Sequence, residues 1–242
     1  MTVTNKIERK IEQIAPGEVF GYNTFGLASN EVLAGAKALG RLKERGVIKR
    51  ARKGYYYKPK LSVFGEQKPR EDVLLKLYLF DNNKQTAYIT GTRLYNRLGL
   101  TTQVPSSIRI ASLDRQIKGK VGNLVIKPAR SYVRVTSENV RYLEILDVIK
   151  DFNTIPDLQK KDGLAYLKKT IRNLNNIEIK KLIAYGISYP PKVRALLGAL
   201  LEEYYNDGGD LKKLRNSLNV TSRYQYGIGS ILLSTAQLWN IS

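Results

Sequence analysis

Residues 29–60 read SNEVLAGAKALGRLKERGVIKRARKGYYYKPK, and this stretch decides the architecture of the amino-terminal part of the chain. Ser29 is of the type that caps a helix, and Glu31 in the first turn suits the positive end of the helix macrodipole. Val32, Ala36, Leu39 and Leu42 recur at helical spacing, so their side is expected to pack inward. At ~100° per residue the opposite stripe is Asn30, Ala34, Lys37 and Arg41. Gly46 stops the helix in the position that favours a left-handed residue. Two short basic strands follow, Val47 to Arg50 and Tyr55 to Lys58. Ala51-Arg52-Lys53-Gly54 joins them, with Gly54 supplying a positive φ.

Upstream, Ile7, Ile11 and Ile14 share one face of a helix expected from about Thr4 to Ile14, which Pro16-Gly17 ends. Phe20, Phe25 and Leu27 anchor a second short helix, roughly Tyr22 to Ala28. Two helices, a basic third helix and a basic hairpin form, in order, a winged helix-turn-helix, expected here over residues 1–60. In that fold the third helix enters the major groove while the hairpin braces on flanking phosphates. Lys37 and Arg41 would then meet phosphate or guanine O6/N7, Asn30 adenine, and Ala34 a thymine methyl, with Ser29 at the start of the same surface. Lys49, Arg50, Arg52 and Lys53 would follow the backbone or reach the minor groove. The competing readings are an ordinary solvated helix face and a charged hairpin that guards a sheet edge against aggregation. In Tyr55-Tyr56-Tyr57, at least one ring is expected to cover the local core, against a stacking role on unpaired bases.

The whole chain carries the same sign. Its 242 residues hold 41 Lys and Arg against 21 Asp and Glu, a net charge of +20. The basic-patch criterion gives about +8 for residues 1–60, about +7 for 61–130 and about +5 for the longer remainder. Such a balance marks polyanion binding, although a coding bias towards Lys, Asn and Tyr would leave the same trace. The chain has neither histidine nor cysteine, which removes the usual general bases, thiol nucleophiles and transition-metal ligands. An enzyme built on it would need carboxylates, lysine, tyrosine or a hard metal. The expectation is therefore no catalysis, no cofactor and no metal site. Pro156-Asp157 followed by Glu178-Ile179-Lys180 imitates a nuclease pattern. That chemistry needs its carboxylates on adjacent strands around Mg²⁺, whereas both segments fall in helical periodicity. No apolar run approaches ~18 residues, and Met1 to Ile14 is charged where a secretion signal is apolar. A cytoplasmic chain with no membrane partner is expected.

Residues 61–69 read as a linker, and residues 70–242 as a second domain. Within it Val73, Leu74, Leu77 and Phe80 mark a helix that Asn82-Asn83 ends, and a short helix follows from about Gly91 to Leu98. Strands are expected at Ser107–Ser112 and Asn123–Lys127, with a third at Tyr132–Val135. From Asn139 onward the pattern is mostly helical: Val140–Phe152, Leu158–Leu174, Asn176–Tyr185, Lys192–Tyr205 and a last segment up to Trp239, with Asp207-Gly208-Gly209-Asp210 as a helix–helix turn. The fold class expected is α+β: a winged helix-turn-helix, a mixed α/β region and a mainly helical C-terminal region.

LGRLKERGVIKRARKGYYY (Leu39–Tyr57) resembles the winged-helix start of the AbiEi-type antitoxins of bacterial type IV toxin–antitoxin systems, which act in abortive infection. AYITGTRLYNRLGLTTQVP (Ala87–Pro105) is similar to that family's block leading through a Gly-Leu-Thr turn to a proline. PPKVRALLGALLEEY and the late QLWNI are compatible with its helical part. The resemblance implies a transcriptional autoregulator and repressor that binds double-stranded operator DNA with inverted repeats. It also implies an antitoxin function against a cognate nucleotidyltransferase-like toxin, with or without direct contact. The alternative is an RNA-binding or ribosome-associated basic protein, for which the charge is equally apt.

Overall fold

Isoleucines at every third or fourth position drive α1 (Val3–Gln13), which buries Ile7 and Ile11. The computed structural model describes residues 2–63, 65–205 and 208–242; among them the protein is a mixed α+β chain of nine α-helices and several small sheets. It divides into two compact units, Met1–Leu77 and Tyr78–Ser242.

In the first unit α1 leads to β1 (Val19–Gly21), a 3₁₀ turn over Tyr22–Phe25 and a second 3₁₀ turn over Ser29–Glu31. Then come α2 (Val32–Glu44), β2 (Lys49–Arg52) and β3 (Tyr55–Tyr57). The three strands form an antiparallel sheet in the order β1-β3-β2, with Phe20 opposite Tyr56 and Arg50 opposite Tyr56. β1 escaped the sequence reading, in which Phe20 was only an apolar anchor; three residues are too few to show alternation. Ile7, Ile11, Ile14, Phe20, Phe25, Ala38, Leu39, Leu42, Ile48 and Tyr56 make one core. Its rings pack edge to face (Phe20 and Phe25, centroids 5.8 Å apart) and stacked (Phe20 and Tyr56, 6.3 Å). Tyr56 and Tyr57 are buried, as a core role for the tyrosine run requires. Residues 61–69, expected as a linker, contain most of a hairpin of β4 (Lys60–Ser62) and β5 (Gly65–Gln67).

The second unit opens within α3 (Glu71–Leu79) and continues through the small hairpin of β6 (Phe80–Asp81) and β7 (Lys84–Gln85). Asn82 and Asn83 make its turn with φ of 45° and 63°, the left-handed pair a two-residue hairpin needs. β8 (Tyr88–Thr90), α4 (Thr92–Arg97), β9 (Ser107–Ser112), β10 (Gly119–Val121) and β11 (Leu124–Arg130) follow. Their sheet runs β10-β11-β9-β8, with β9 and β11 parallel and the outer pairs antiparallel. Tyr132–Val135, expected as a strand, is loop: Val135 is spent on the core while the Asn139 side chain holds the backbone of Arg134 and Thr136.

The helical part comprises α5 (Val140–Asp151), α6 (Lys160–Arg172), α7 (Asn176–Gly186), α8 (Pro191–Glu202) and α9 (Gly208–Asn216). The glycine turn expected at Asp207 lies partly outside the described residues. After α9 the chain is irregular up to a 3₁₀ turn at Gln237–Trp239, so the last segment is not the helix expected. Its order comes from elsewhere: Tyr224 and Ile241 form a parallel bridge, and Trp239 is buried against α8. A Cβ on Gly198 would sit 2.2 Å from the Trp239 ring, so the glycine makes room for the indole. Among the described residues, no helix is long and apolar enough to cross a membrane.

Candidate nucleic-acid interface

The start of α2 differs from the expected cap. Ser29 does not cap it; Ser29 and Asn30 lie exposed in the preceding 3₁₀ turn. Glu31 reaches back to accept from the Ala28 amide at 2.9 Å, and its carboxylate also stands 3.9 Å from Lys6. The stop is as expected: Gly46 has φ 74°, its amide donates to the Lys43 carbonyl at 3.1 Å, and Val47 donates to Leu42 at 3.0 Å. This paired pattern satisfies the last carbonyls of the helix.

Gly35, Ala38, Leu39 and Leu42 form the buried side of α2. Val32 and Ala36, expected inside, are not: Val32 is exposed and Ala36 half-buried. The buried side is rotated because the Leu27 side chain lies on Gly35, where a Cβ would come within 2.4 Å of it. Ala34, Lys37 and Arg41 are exposed, as the opposite stripe predicts. Leu33, 79% exposed, joins them. Sequence reasoning passed over it because a leucine carries no charge, although Leu33, Lys37 and Arg41 are spaced i, i+4 along one face. Arg41 Nη2 donates to Thr4 Oγ1 at 3.4 Å, whereas Lys37 has no ion pair among the described residues.

The hairpin separates its four cations into two kinds. Lys49 is bound to Glu66 of β5 at 2.6 Å, and that hydrogen bond raises its pKa above the usual lysine value. Arg52 is half-buried; it donates to the Leu77 carbonyl and lies over the Tyr55 ring at 5.0 Å. Arg50 and Lys53 are exposed. A bulge between Arg50 and Arg52 carries β2 further than expected, leaving Lys53-Gly54 as the turn, with Gly54 at φ 81°. Three other cations of this unit are structural. Lys58 Nζ donates to the carbonyls of Ile11 and Glu12 at the end of α1, Lys10 to Thr24 at 2.8 Å and Lys6 to Gly26 at 3.0 Å.

The residues of the nuclease-like pattern have local duties. Asp157 sits in a left-handed turn at φ 59°. Glu178 caps α7 by accepting from the Asn175 amide and pairs with Arg141, which together hold its carboxyl below the usual range. Among the described residues no group of three His, Cys, Asp or Glu is placed to hold a metal ion.

Residues 6–143 match a family described as a family of unknown function, DUF6088; the match spans more than half the chain, which therefore belongs to that family. A comparison with curated proteins finds no match. Among solved structures the chain is similar to the RV2827C protein from Mycobacterium tuberculosis, at 10% identity and a TM-score of 0.47, over 91% of this chain and 83% of that one.

Proposed function

We propose that this DUF6088 chain is a DNA-binding transcriptional autoregulator whose first unit is a winged helix-turn-helix, and that it serves as the antitoxin of a nucleotidyltransferase-like toxin. The observation that carries the DNA reading is the exposed side of α2. Leu33, Ala34, Lys37 and Arg41 line it with no packing duty, in the unit whose basic hairpin also leaves Arg50 and Lys53 exposed. An α-helix fits the B-DNA major groove, where Lys37 and Arg41 reach guanine acceptors or phosphate and Leu33 or Ala34 can meet a thymine methyl. Asn30, one turn earlier, is available to adenine or phosphate. Arg50 and Lys53 take the flanking phosphates; Lys49 and Arg52 act chiefly within the protein. The reading needs neither catalysis nor cofactor, and places the chain in the cytoplasm beside its operator.

The antitoxin half rests on the resemblance to AbiEi-type proteins in Leu39–Tyr57 and Ala87–Pro105. Two experiments test the whole. The purified chain is titrated against its own upstream DNA, a shuffled duplex and a structured RNA at fixed salt. Preference for the upstream duplex is expected, and preference for RNA overturns the reading. Co-expression with an adjacent nucleotidyltransferase-like gene should restore growth; unrelieved toxicity removes the antitoxin role.

A further inference from the structure

Strand alternation sorts the four-stranded sheet of the second unit into two faces. On one of them β10 contributes Lys120, β11 contributes Val125, Lys127 and Ala129, β9 contributes Ser107, Arg109 and Ala111, and β8 contributes Tyr88 and Thr90. The register puts Lys127 opposite Arg109, Arg109 opposite Thr90, and Lys120 opposite Val125. One end of this face is closed. Tyr88 and Thr90 are buried and donate to the Asp147 carboxylate of α5 at 2.9 and 2.6 Å. The other end is open, with Arg109, Lys120, Lys127 and Val125 exposed.

Three cations thus stand on three successive strands, at a strand spacing of roughly 4.8 Å. Like charges facing each other across a ladder destabilise a sheet. No carboxylate projects from these strands on this face. None of the three cations has a hydrogen bond or ion pair with a described residue. Some cations elsewhere in the unit are paired, among them Arg97 with Glu144, Arg141 with Glu178 and Lys168 with Glu203. The stem of Arg109 also runs over Gly91, where a Cβ would lie 2.8 Å from Arg109 Cδ. A side chain there would displace the arginine.

We propose that the open end of this face is a second, sequence-independent site for the phosphate backbone of double-stranded DNA. No aromatic ring is exposed on it, so it cannot stack unpaired bases as single-strand binders do. Lysine and arginine heads spread over three neighbouring strands suit the regularly spaced charges of the sugar–phosphate ridge, a contact that carries no sequence information. The choice of DNA rests on the function proposed for the first unit: a chain already held on a duplex presents its second site to that duplex at high effective concentration.

The test uses the full chain carrying Arg109→Ala, Lys120→Ala and Lys127→Ala together, titrated over a salt series against its upstream duplex and a shuffled one. Each lost phosphate contact flattens the log–log salt dependence by about 0.9, so the triple variant is expected to lose up to about 2.7 on both duplexes while keeping its preference between them. The charge-preserving variant Arg109→Lys, Lys120→Arg, Lys127→Arg should retain the slope, which separates charge from folding. An unchanged slope in a triple variant that still binds overturns this site alone. A flattened slope in a protein with no preference for its upstream duplex leaves this site standing and removes the reading of the first unit. Tighter binding of wild type to A-form RNA or to anionic vesicles than to either duplex, lost in the triple variant, overturns the assignment to DNA.

Discussion

α2 and α8 have nearly the same length and opposite employment. α8 buries Val193 and every residue from Ala195 to Leu201, so its sequence is dictated by packing on all sides. α2 buries four residues and turns Leu33, Ala34, Lys37 and Arg41 to solvent. A helix enclosed by its own protein has no surface left for a partner. A helix packed along one stripe has a second face whose composition the fold does not constrain. The contrast extends to the units that hold them, because the second carries the larger buried core and the first the exposed cationic helix face.

The greatest effect expected is alkaline. Burial pushes the phenols of Tyr88, Tyr95 and Tyr226, all in the second unit, far above the usual tyrosine value. The folded state keeps those protons above pH ~10 while the unfolded chain releases them, so stability falls as pH rises, by roughly 1.4 kcal/mol per pH unit for each phenol. Tyrosinate absorbance should appear late and together with loss of helical signal; early titration of these rings would refute the enclosed core.

Next comes Gly198→Leu, which drives a side chain into the Trp239 ring and should cost about 1–3 kcal/mol in denaturant unfolding. A variant as stable as wild type would mean that α8 is looser than its burial indicates. On the other helix, Lys37→Ala with Arg41→Ala should change stability by less than about 0.5 kcal/mol yet weaken operator binding by about 1–3 kcal/mol per lost base contact. Loss of stability without loss of binding would reverse the roles given to the faces of α2. The smallest effects concern the hairpin. Arg50→Ala with Lys53→Ala should flatten the salt dependence by about 1.8, and Glu66→Gln, by releasing Lys49, should steepen it by up to about 0.9. A Glu66→Gln protein with weaker binding would show that the Lys49–Glu66 pair positions the hairpin instead of restraining it.

Elements with local causes were legible in the residues. The isoleucine period of α1, the Gly46 stop and the positive φ at Gly54 need only the neighbouring chain. The exposed half of α2 was readable for the same reason. The buried half was legible only in part: Leu39 and Leu42 are inside as expected, but Leu27 from another segment lies on Gly35, and Val32 is outside. Engagement of cations was hidden most completely. Lys49 and Arg52 look like Arg50 and Lys53 in sequence, but Glu66 and the Leu77 carbonyl separate them. The row Arg109, Lys120 and Lys127 spans strands that the alternation only partly revealed. Its alignment depends on a parallel pairing that no single strand encodes.

By itself the sequence determined the sign of the molecule's field, the absence of thiol and imidazole chemistry, and the helices whose periodicity repeats over several turns. Charge and periodicity are properties of neighbours along a chain, and survive any packing. Tertiary structure alone decided which cations stay available to a polyanion and which hold carbonyls or carboxylates. It also decided that an irregular C-terminal segment is fixed by a tryptophan seated over a glycine. Those outcomes depend on contacts between residues far apart in sequence, and only the folded chain brings them within bonding distance.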